Sequence, residues 1–347
     1  MSDIWIRAEG RAGRITLQRP KALNALTYDM VLEIERALDA WRADDAVKLV
    51  LIDAKGEKAF CAGGDIAEMY ASGTAGNFDY GRQFWRDEYR LNAKLFEYPK
   101  PVVSLLQGFT MGGGVGVGCH GSHRIVGESS QIAMPECGIG LVPDVGGSLM
   151  LALCPGHLGE YLGITAFRMN AADAIFAGFA DHYVPQTNWA TLTETLCANG
   201  DIKAIEAASI AAEGGTLEVN LPQIDALFCG AQLRDIYRNL TWDDSEFAKE
   251  ALKAIGRNAP FAMACAVQII RRLRSATSIR QALDMEFRYT YRAMKQGDFI
   301  EGIRAAIIDR DRNPSWAHIS PEDVPSGEVS AMLMPLKEHA LRWEEMP

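Results

Sequence analysis

Three features are missing from this 347-residue sequence, and each absence removes a class of protein. No run of about 18 apolar residues occurs, so a membrane-spanning helix is not expected. The seven cysteines have no CxxC spacing and the six histidines add no ligand pattern, so neither a zinc site nor a disulfide framework is predicted. The sequence also lacks an excess of positive charge. Its net charge of −10 argues against a general affinity for nucleic acid or an anionic membrane surface.

The sequence also allows predictions about the cellular compartment and about cofactors. Scattered cysteines, odd in number, are typical of a reducing compartment, so we expect a cytoplasmic protein. The opening MSDIWIRAEG has no basic stretch followed by an apolar run and does not resemble a signal peptide. Because no ligand spacing is present, we expect neither a metal nor a redox cofactor.

One Gly-rich segment, residues 116–121, fits the GxGxxG pattern of dinucleotide-binding proteins. The match is weak evidence, because the first βα unit of a nucleotide-binding fold carries this pattern and here it lies a third of the way along the chain. We interpret Gly116 and Gly118 as positions where a helix packs closely on its neighbours. A dehydrogenase is the less favoured alternative.

Hydrophobic patterning predicts two regions with a boundary at residue 195. Residues 1–195 alternate helical segments with buried strand runs, such as 49–54 and 101–108, which indicates an α/β core. Thr27 is the predicted N-cap of the first helix. Residues 196–347 contain no buried strand run, and helical patterns occupy 201–213, 222–238, 245–256, 261–274 and 278–296.

The segment MPECGIGLVPDVGG, residues 134–147, places two acids in apolar surroundings. Glu136 and Asp144 are the only formal charges between residues 129 and 159, with no Lys or Arg nearby in sequence. Such a carboxylate is costly unless it is paired, hydrogen-bonded or protonated. The residues alone leave two interpretations open: a helix cap with a turn acid, or a pair of acids that performs chemistry.

Two further Gly-rich loops, CAGGDI at 61–66 and MGGG at 111–114, each precede a predicted helix. Backbone N–H groups at the start of a helix have no acceptor within the helix, so they can stabilise a negative charge that develops on an oxygen. Two such loops that converge would form an oxyanion hole. Composition alone leaves open whether they are two unrelated turns.

Several stretches together resemble the crotonase (enoyl-CoA hydratase/isomerase) superfamily and are most similar to its 3-hydroxyisobutyryl-CoA hydrolase branch. They are the acidic segment above, RPKALNAL (19–26), KAFCAGGDI (58–66), GFTMGGGVGVGCHGSHRI (108–125) and GDFIEGIRAAIIDRDRNPSW (297–316). The resemblance implies a crotonase-like ββα spiral core with a mainly helical C-terminal region. It also implies an acyl-CoA thioester as the substrate.

The resemblance further implies roles for matching positions. The N–H groups of Gly64 and Gly113 would form the oxyanion hole for the thioester carbonyl. Glu136 matches the family's catalytic glutamate, and Asp144 matches the aspartate that the hydrolase branch carries where hydratases have glycine. Glu88 matches an acid that lines the hydrolase substrate site. The loops at 20–26 and 61–66 would bind coenzyme A through Lys21, Ala22, Ala25, Ala62, Gly64 and Ile66.

Gly116 departs from the hydratase pattern. Hydratases carry their second glutamate at this position, so hydration of a double bond is not expected. We expect hydrolysis of a short β-hydroxyacyl-CoA in valine breakdown. The favoured substrate is 3-hydroxyisobutyryl-CoA, and 3-hydroxypropionyl-CoA is the second candidate. An enoyl-CoA isomerase or hydratase is the alternative, and a non-catalytic, nucleic-acid-binding relative is the third candidate. Superfamily members commonly form trimers or paired trimers, so a homo-oligomer is expected.

Overall fold

A computed structural model describes residues 2–343. The strands are β1 (Ile4–Glu9), β2 (Ala12–Leu17), β3 (Leu49–Ala54), β4 (Ala59–Cys61), β5 (Val102–Leu105), β6 (Phe109–Met111), β7 (His123–Val126), β8 (Gln131–Ala133) and β9 (His182–Tyr183). The helices are α1 (Tyr28–Arg42), α2 (Ala67–Thr74), α3 (Asp79–Phe96), α4 (Gly113–Gly118), α5 (Gly147–Leu153), α6 (Leu158–Thr165), α7 (Ala171–Phe176), α8 (Trp189–Asn199), α9 (Lys203–Ala208), α10 (Leu217–Phe228), α11 (Leu233–Trp242), α12 (Glu246–Ile255), α13 (Pro260–Leu273), α14 (Ile279–Gln296), α15 (Phe299–Ile303) and α16 (Ser326–Met332). Single 3-10 turns lie at Pro20–Ala22, Glu136–Ile139, Gln186–Asn188 and Lys337–His339, and Arg304–Ile308 is π-helical.

The chain divides into two compact units, each built from three separated segments. The first unit takes the described residues up to 65 together with 91–133 and 168–218, and the second takes 66–90, 134–167 and the described residues from 219 onward. The predicted boundary at residue 195 divides the chain by sequence pattern and stays a prediction. Residues 1 and 344–347 of the two predicted regions lie outside the described residues.

All strands of the described residues belong to the first unit, where they form two sheets. The larger sheet has the order β1-β2-β3-β5-β7-β9, and the smaller has the order β4-β6-β8. β1 and β2 are antiparallel, while the remaining pairs are parallel, as expected when helices connect successive strands. One face of the larger sheet packs on α8 and α9 in an apolar core that includes Leu51, Val103, Ile125, Leu196 and Ile205.

Several local predictions are confirmed. The Thr27 hydroxyl accepts a hydrogen bond from the N–H of Met30 and begins α1, as an N-cap does. The apolar run at 49–54 is the strand β3, an interior strand that pairs with β2 and β5 and is buried over most of its length. The run at 101–108 is shorter as a strand, since only Val102–Leu105 pairs as β5.

Two predicted helices were wrong in extent. The segment 222–238 contains parts of two helices, α10 and α11, because Gly230 interrupts the pattern and Gln232 and Asp235 form a capping box that restarts it. The segment 201–213 is helical only over α9, since the N–H of Ile210 donates to the carbonyl of Tyr183 beside β9. Both errors arise where a turn or a distant strand competes with a helical pattern.

Candidate active site

In the first unit, the loop at residues 20–26 is joined to the loop at residues 61–65 by backbone hydrogen bonds. The bonds run from Ala62 N–H to the Leu23 carbonyl (3.0 Å), from Leu26 N–H to Gly63 (2.9 Å) and from Asp65 N–H to Leu26 (2.7 Å). Lys21 and Ala22 are exposed, and Ala25, Ala62 and Gly64 are half-buried, as is Ile66 just before α2. The loops predicted to bind coenzyme A therefore have an accessible edge, and the binding role itself stays a prediction.

The N–H group of Gly64 takes no part in this ladder. In the bridge between Leu26 and Gly64, residues 63 and 65 make the bonds to Leu26, so the Gly64 N–H points away from that strand. Gly113 is the first residue of α4, where a backbone N–H has no acceptor within its own helix. Both N–H groups are thus available in the way that the predicted oxyanion hole requires.

The two Gly-rich loops also lie against each other within the first unit. A Cβ atom on Gly114 would lie 2.1 Å from the carbonyl oxygen of Cys61, and one on Gly63 would lie 3.6 Å from that of Met111. No side chain fits at position 114, so the MGGG sequence lets the second loop approach the first directly. The two loops are therefore neighbours rather than unrelated turns.

Gly118 of the GxGxxG segment serves packing. Gly116 and Gly118 are buried in α4, and a Cβ atom on Gly118 would lie 2.7 Å from the side chains of Leu106 and Phe60. This close approach confirms the packing interpretation for Gly118.

In the second unit, Glu136 begins the 3-10 turn Glu136–Ile139. Its side chain is 4% exposed, and neither carboxylate oxygen has a hydrogen-bond partner among the described residues. The turn itself is held in place, because the N–H of Ala259 donates to the carbonyl of Cys137 at 2.9 Å. A buried polar group without a partner is rare and calls for a functional explanation. Glu136 thus combines a fixed backbone with a buried carboxyl that no side chain among the described residues binds.

Asp144 lies in the turn before α5 and is also 4% exposed. The Tyr89 hydroxyl donates to its Oδ2 at 2.8 Å, and Trp85, one helical turn earlier on α3, also hydrogen-bonds the carboxyl. The N–H of Gly147 donates to the backbone carbonyl of Asp144 at 2.7 Å, so the turn suggested by Pro143-Asp144 is confirmed. Asp144 is therefore a turn residue whose side chain is oriented by two aromatic donors.

Two further buried carboxyls belong to this unit. Glu88 precedes Tyr89 on α3 and is 3% exposed, which places the predicted acid in the same unit as Glu136 and Asp144. Glu286 on α14 is fully buried, and sequence reasoning missed it. A signal was present, because Glu286 occupies the apolar face of α14 with Leu283, at a position where a charge is unexpected.

Burial raises the pKa of all four carboxyls. Desolvation, and then the charge of Asp144, hold the pKa of Glu136 well above its ordinary value, and the same two causes act on Glu88. Burial raises the pKa of Asp144 to about 7, although the hydrogen bond from Tyr89 lowers it. Burial and the charge of Asp144 raise the pKa of Glu286 to about 8. Burial and the charge of Asp144 thus raise the pKa of all three glutamates, and strongly perturbed pKa values are common at catalytic sites.

The described part of the chain lacks two other features. Among residues 2–343, no group of three His, Cys, Asp or Glu side chains is arranged to hold a metal ion. No helix in the same range is long and apolar enough to cross a membrane.

Known proteins resemble this chain over nearly its whole length. A family model described as enoyl-CoA hydratase/isomerase matches residues 12–333. A relative from Gallus gallus named "3-hydroxyisobutyryl-CoA hydrolase, mitochondrial" is 35% identical, over 98% of this chain and 91% of its own. A relative of the same name from Danio rerio is 38% identical, over 91% of this chain and 85% of its own. Both names place those relatives in mitochondria, and the expected cytoplasmic location of this chain stays a prediction.

A solved structure supports the fold. The crystal structure of an enoyl-CoA hydratase from Rhodobacter sphaeroides 2.4.1 superposes with a TM-score of 0.95 and 55% sequence identity, covering 98% of this chain and 100% of that one. The predicted crotonase-like α/β fold is thereby confirmed. The match spans both regions of the sequence, from the Gly-rich loops to the C-terminal helices. The chain belongs to the enoyl-CoA hydratase/isomerase family.

Proposed function

We propose that this protein hydrolyses the thioester of a short β-hydroxyacyl-CoA in valine breakdown. The favoured substrate is 3-hydroxyisobutyryl-CoA, and 3-hydroxypropionyl-CoA is the second candidate. The observation that carries the proposal is the free, buried carboxyl of Glu136 in one cluster with Asp144. The names of the relatives from Gallus gallus and Danio rerio support the same reaction.

Glu136 is the proposed reactive group. Its carboxylate attacks the thioester carbon and expels coenzyme A as the thiolate, which takes up a proton; water then hydrolyses the resulting mixed anhydride. In the alternative route, Glu136 removes a proton from a water molecule that attacks the same carbon. A raised pKa leaves fewer Glu136 carboxyls ionised at neutral pH, but each ionised carboxylate is a stronger base and nucleophile.

The remaining residues bind and polarise the substrate in this proposal. The N–H groups of Gly64 and Gly113 donate to the carbonyl oxygen, where negative charge develops. Asp144 binds the β-hydroxyl with its carboxylate, which Tyr89 and Trp85 hold in place by hydrogen bonds. Glu88 lines the acyl site. The reaction needs neither a metal nor a redox cofactor, because these groups supply the nucleophile and the charge stabilisation.

Hydratase and isomerase activities are less well supported. Position 116 is a buried glycine inside α4 and supplies no second acid for hydration. An enoyl-CoA isomerase needs only one acid and leaves Asp144 without a role. A nucleic-acid-binding relative is disfavoured by the net charge of −10.

The substrate class is tested by changing Asp144 to Asn. Asparagine has one acceptor oxygen in place of two, so after Tyr89 and Trp85 have donated to the side chain it presents an NH₂ group to the β-hydroxyl. We expect kcat/KM for thiol release from 3-hydroxyisobutyryl-CoA to fall by about 100-fold or more, and that from isobutyryl-CoA, which lacks the hydroxyl, by about tenfold or less. Equal losses on the two substrates would contradict a β-hydroxyl site at Asp144.

A further inference from the structure

Glu286 is a fully buried acid that has no part in the reaction as described so far. Both of its oxygens accept hydrogen bonds from the start of α5. Oε2 accepts from the N–H of Gly146 at 2.9 Å, and Oε1 accepts from the N–H of Ser148 at 3.1 Å and from the Ser148 hydroxyl. These donors follow Asp144 by two and four residues. Glu286 therefore ties the segment that carries Asp144 to α14.

The segment held by Glu286 has an unusual backbone. Val145, directly after Asp144, has φ of 53°, and Gly146 follows with φ of 81°. A β-branched residue such as valine rarely adopts this left-handed region, because its side chain crowds the backbone. Such a conformation persists only where the surroundings fix it, and it is concentrated at functional sites. The three hydrogen bonds to Glu286 fix it here.

α14 reaches Asp144 by a second route. Thr290 follows Glu286 by one helical turn, so the two side chains lie on the same face of the helix. The Thr290 hydroxyl lies 3.5 Å from the hydroxyl of Tyr89, which donates to Asp144. One face of α14 thus contacts the segment after Asp144 and also the donor that orients its side chain.

We propose that Glu286 is a positioning residue: by holding residues 146–148 it keeps Asp144 against Tyr89, in the place where Asp144 meets the β-hydroxyl of the substrate. The inference rests on the proposed function. It differs from a purely structural role, in which loss of Glu286 would lower stability and reduce the turnover of all acyl-CoA substrates equally.

The test is Glu286→Gln, which keeps the side-chain shape but turns one acceptor oxygen into an NH₂ group that faces a backbone N–H. We expect kcat/KM for 3-hydroxyisobutyryl-CoA to fall by about tenfold or more, and that for isobutyryl-CoA by about threefold or less. Because Glu286 acts through Asp144, the double variant Asp144→Asn with Glu286→Gln is expected to be no worse than Asp144→Asn alone. Additive losses, or equal losses on both substrates, would overturn the proposal.

Asp284→Asn is the matched control. Asp284 lies on the same helix and accepts from the Trp343 ring N–H at 3.1 Å instead of binding the segment after Asp144. We expect this variant to leave the ratio of the two kcat/KM values unchanged. If Glu286→Gln does not fold, Ser148→Ala removes one of the three hydrogen bonds and is expected to shift the ratio in the same direction by a smaller factor. An unchanged ratio in folded Ser148→Ala would then overturn the proposal.

Amide hydrogen exchange separates this inference from the proposed function, because it needs no substrate. In folded Glu286→Gln, the amides of Gly146 and Ser148 should exchange at least about tenfold faster than in the wild type, since both lose a charged or well-aligned acceptor. Unchanged exchange at both amides would contradict the holding role even if the enzyme is active. Faster exchange in a protein that hydrolyses no acyl-CoA would place the failure in the proposed function instead.

Discussion

Glu136→Gln is expected to lower kcat for thiol release by roughly three or more orders of magnitude on every acyl-CoA that the wild type hydrolyses. Glutamine has nearly the same volume but can neither attack the thioester carbon nor remove a proton from water. The loss should be similar with and without a β-hydroxyl, because the reacting carbon is common to all thioesters. Free thiol measured at saturating substrate gives the result directly.

A stability measurement shows whether this loss is chemical. The pKa of Glu136 is raised by burial, so ionising this residue destabilises the folded protein above the ordinary pKa of a glutamate. Glutamine has no such cost, and the variant should be at least as stable as the wild type in urea at pH 8. An inactive variant that is also much less stable would point to a structural role, and one with activity within tenfold of wild type would remove Glu136 from the reaction.

Single-turnover hydrolysis in oxygen-18 water then distinguishes the two routes for Glu136. A mixed anhydride attacked at the acyl carbon labels the acid product, whereas attack at the Glu136 carbon leaves label in the enzyme. General-base catalysis labels only the product. Label in the peptide that contains Glu136 would therefore establish the covalent route.

Gly113→Pro is expected to lower kcat by about 100- to 1,000-fold, the usual effect of losing one oxyanion donor. Proline is tolerated at the first position of a helix, and Gly113 is the first residue of α4. The change therefore removes the N–H while leaving the hydrogen bonds of the helix in place.

Gly113→Ala is the control for this variant, because it adds a methyl group and keeps the N–H. A melting curve for each variant shows whether the loop tolerates the change, since Gly112 just before it has φ of 52°. Full activity in a folded Gly113→Pro variant would show that this N–H does not bind the carbonyl oxygen. Equal losses in the two variants would assign the effect to crowding.

The elements that sequence predicted well are those fixed by neighbouring residues. The Thr27 cap depends on Met30, three residues away, and the buried strand β3 needs only a short apolar run. Gly118 was also recognisable, because a glycine inside a helical pattern needs a packing reason. Each signal lies within a few positions of the feature that it predicts.

The contacts that orient the acids depend on residues far apart in sequence. Tyr89 lies 55 positions before Asp144, and Glu286 lies 140 positions after Gly146, so no local pattern links either pair. The division into two units, each assembled from three chain segments, also depends on contacts between residues far apart in sequence. The apolar face of α14 marked Glu286 as an unusual acid, but only the folded chain shows which backbone it binds.

Parallel assays of the enzyme with 3-hydroxyisobutyryl-CoA and with crotonyl-CoA distinguish hydrolysis from hydration most directly. With Glu136 and Asp144 present and glycine at position 116, we expect rapid release of free thiol from the first substrate. We expect negligible loss of the enoyl absorbance of the second. Rapid loss of crotonyl absorbance, with no thiol released from 3-hydroxyisobutyryl-CoA, would show that the protein is a hydratase and not a thioester hydrolase.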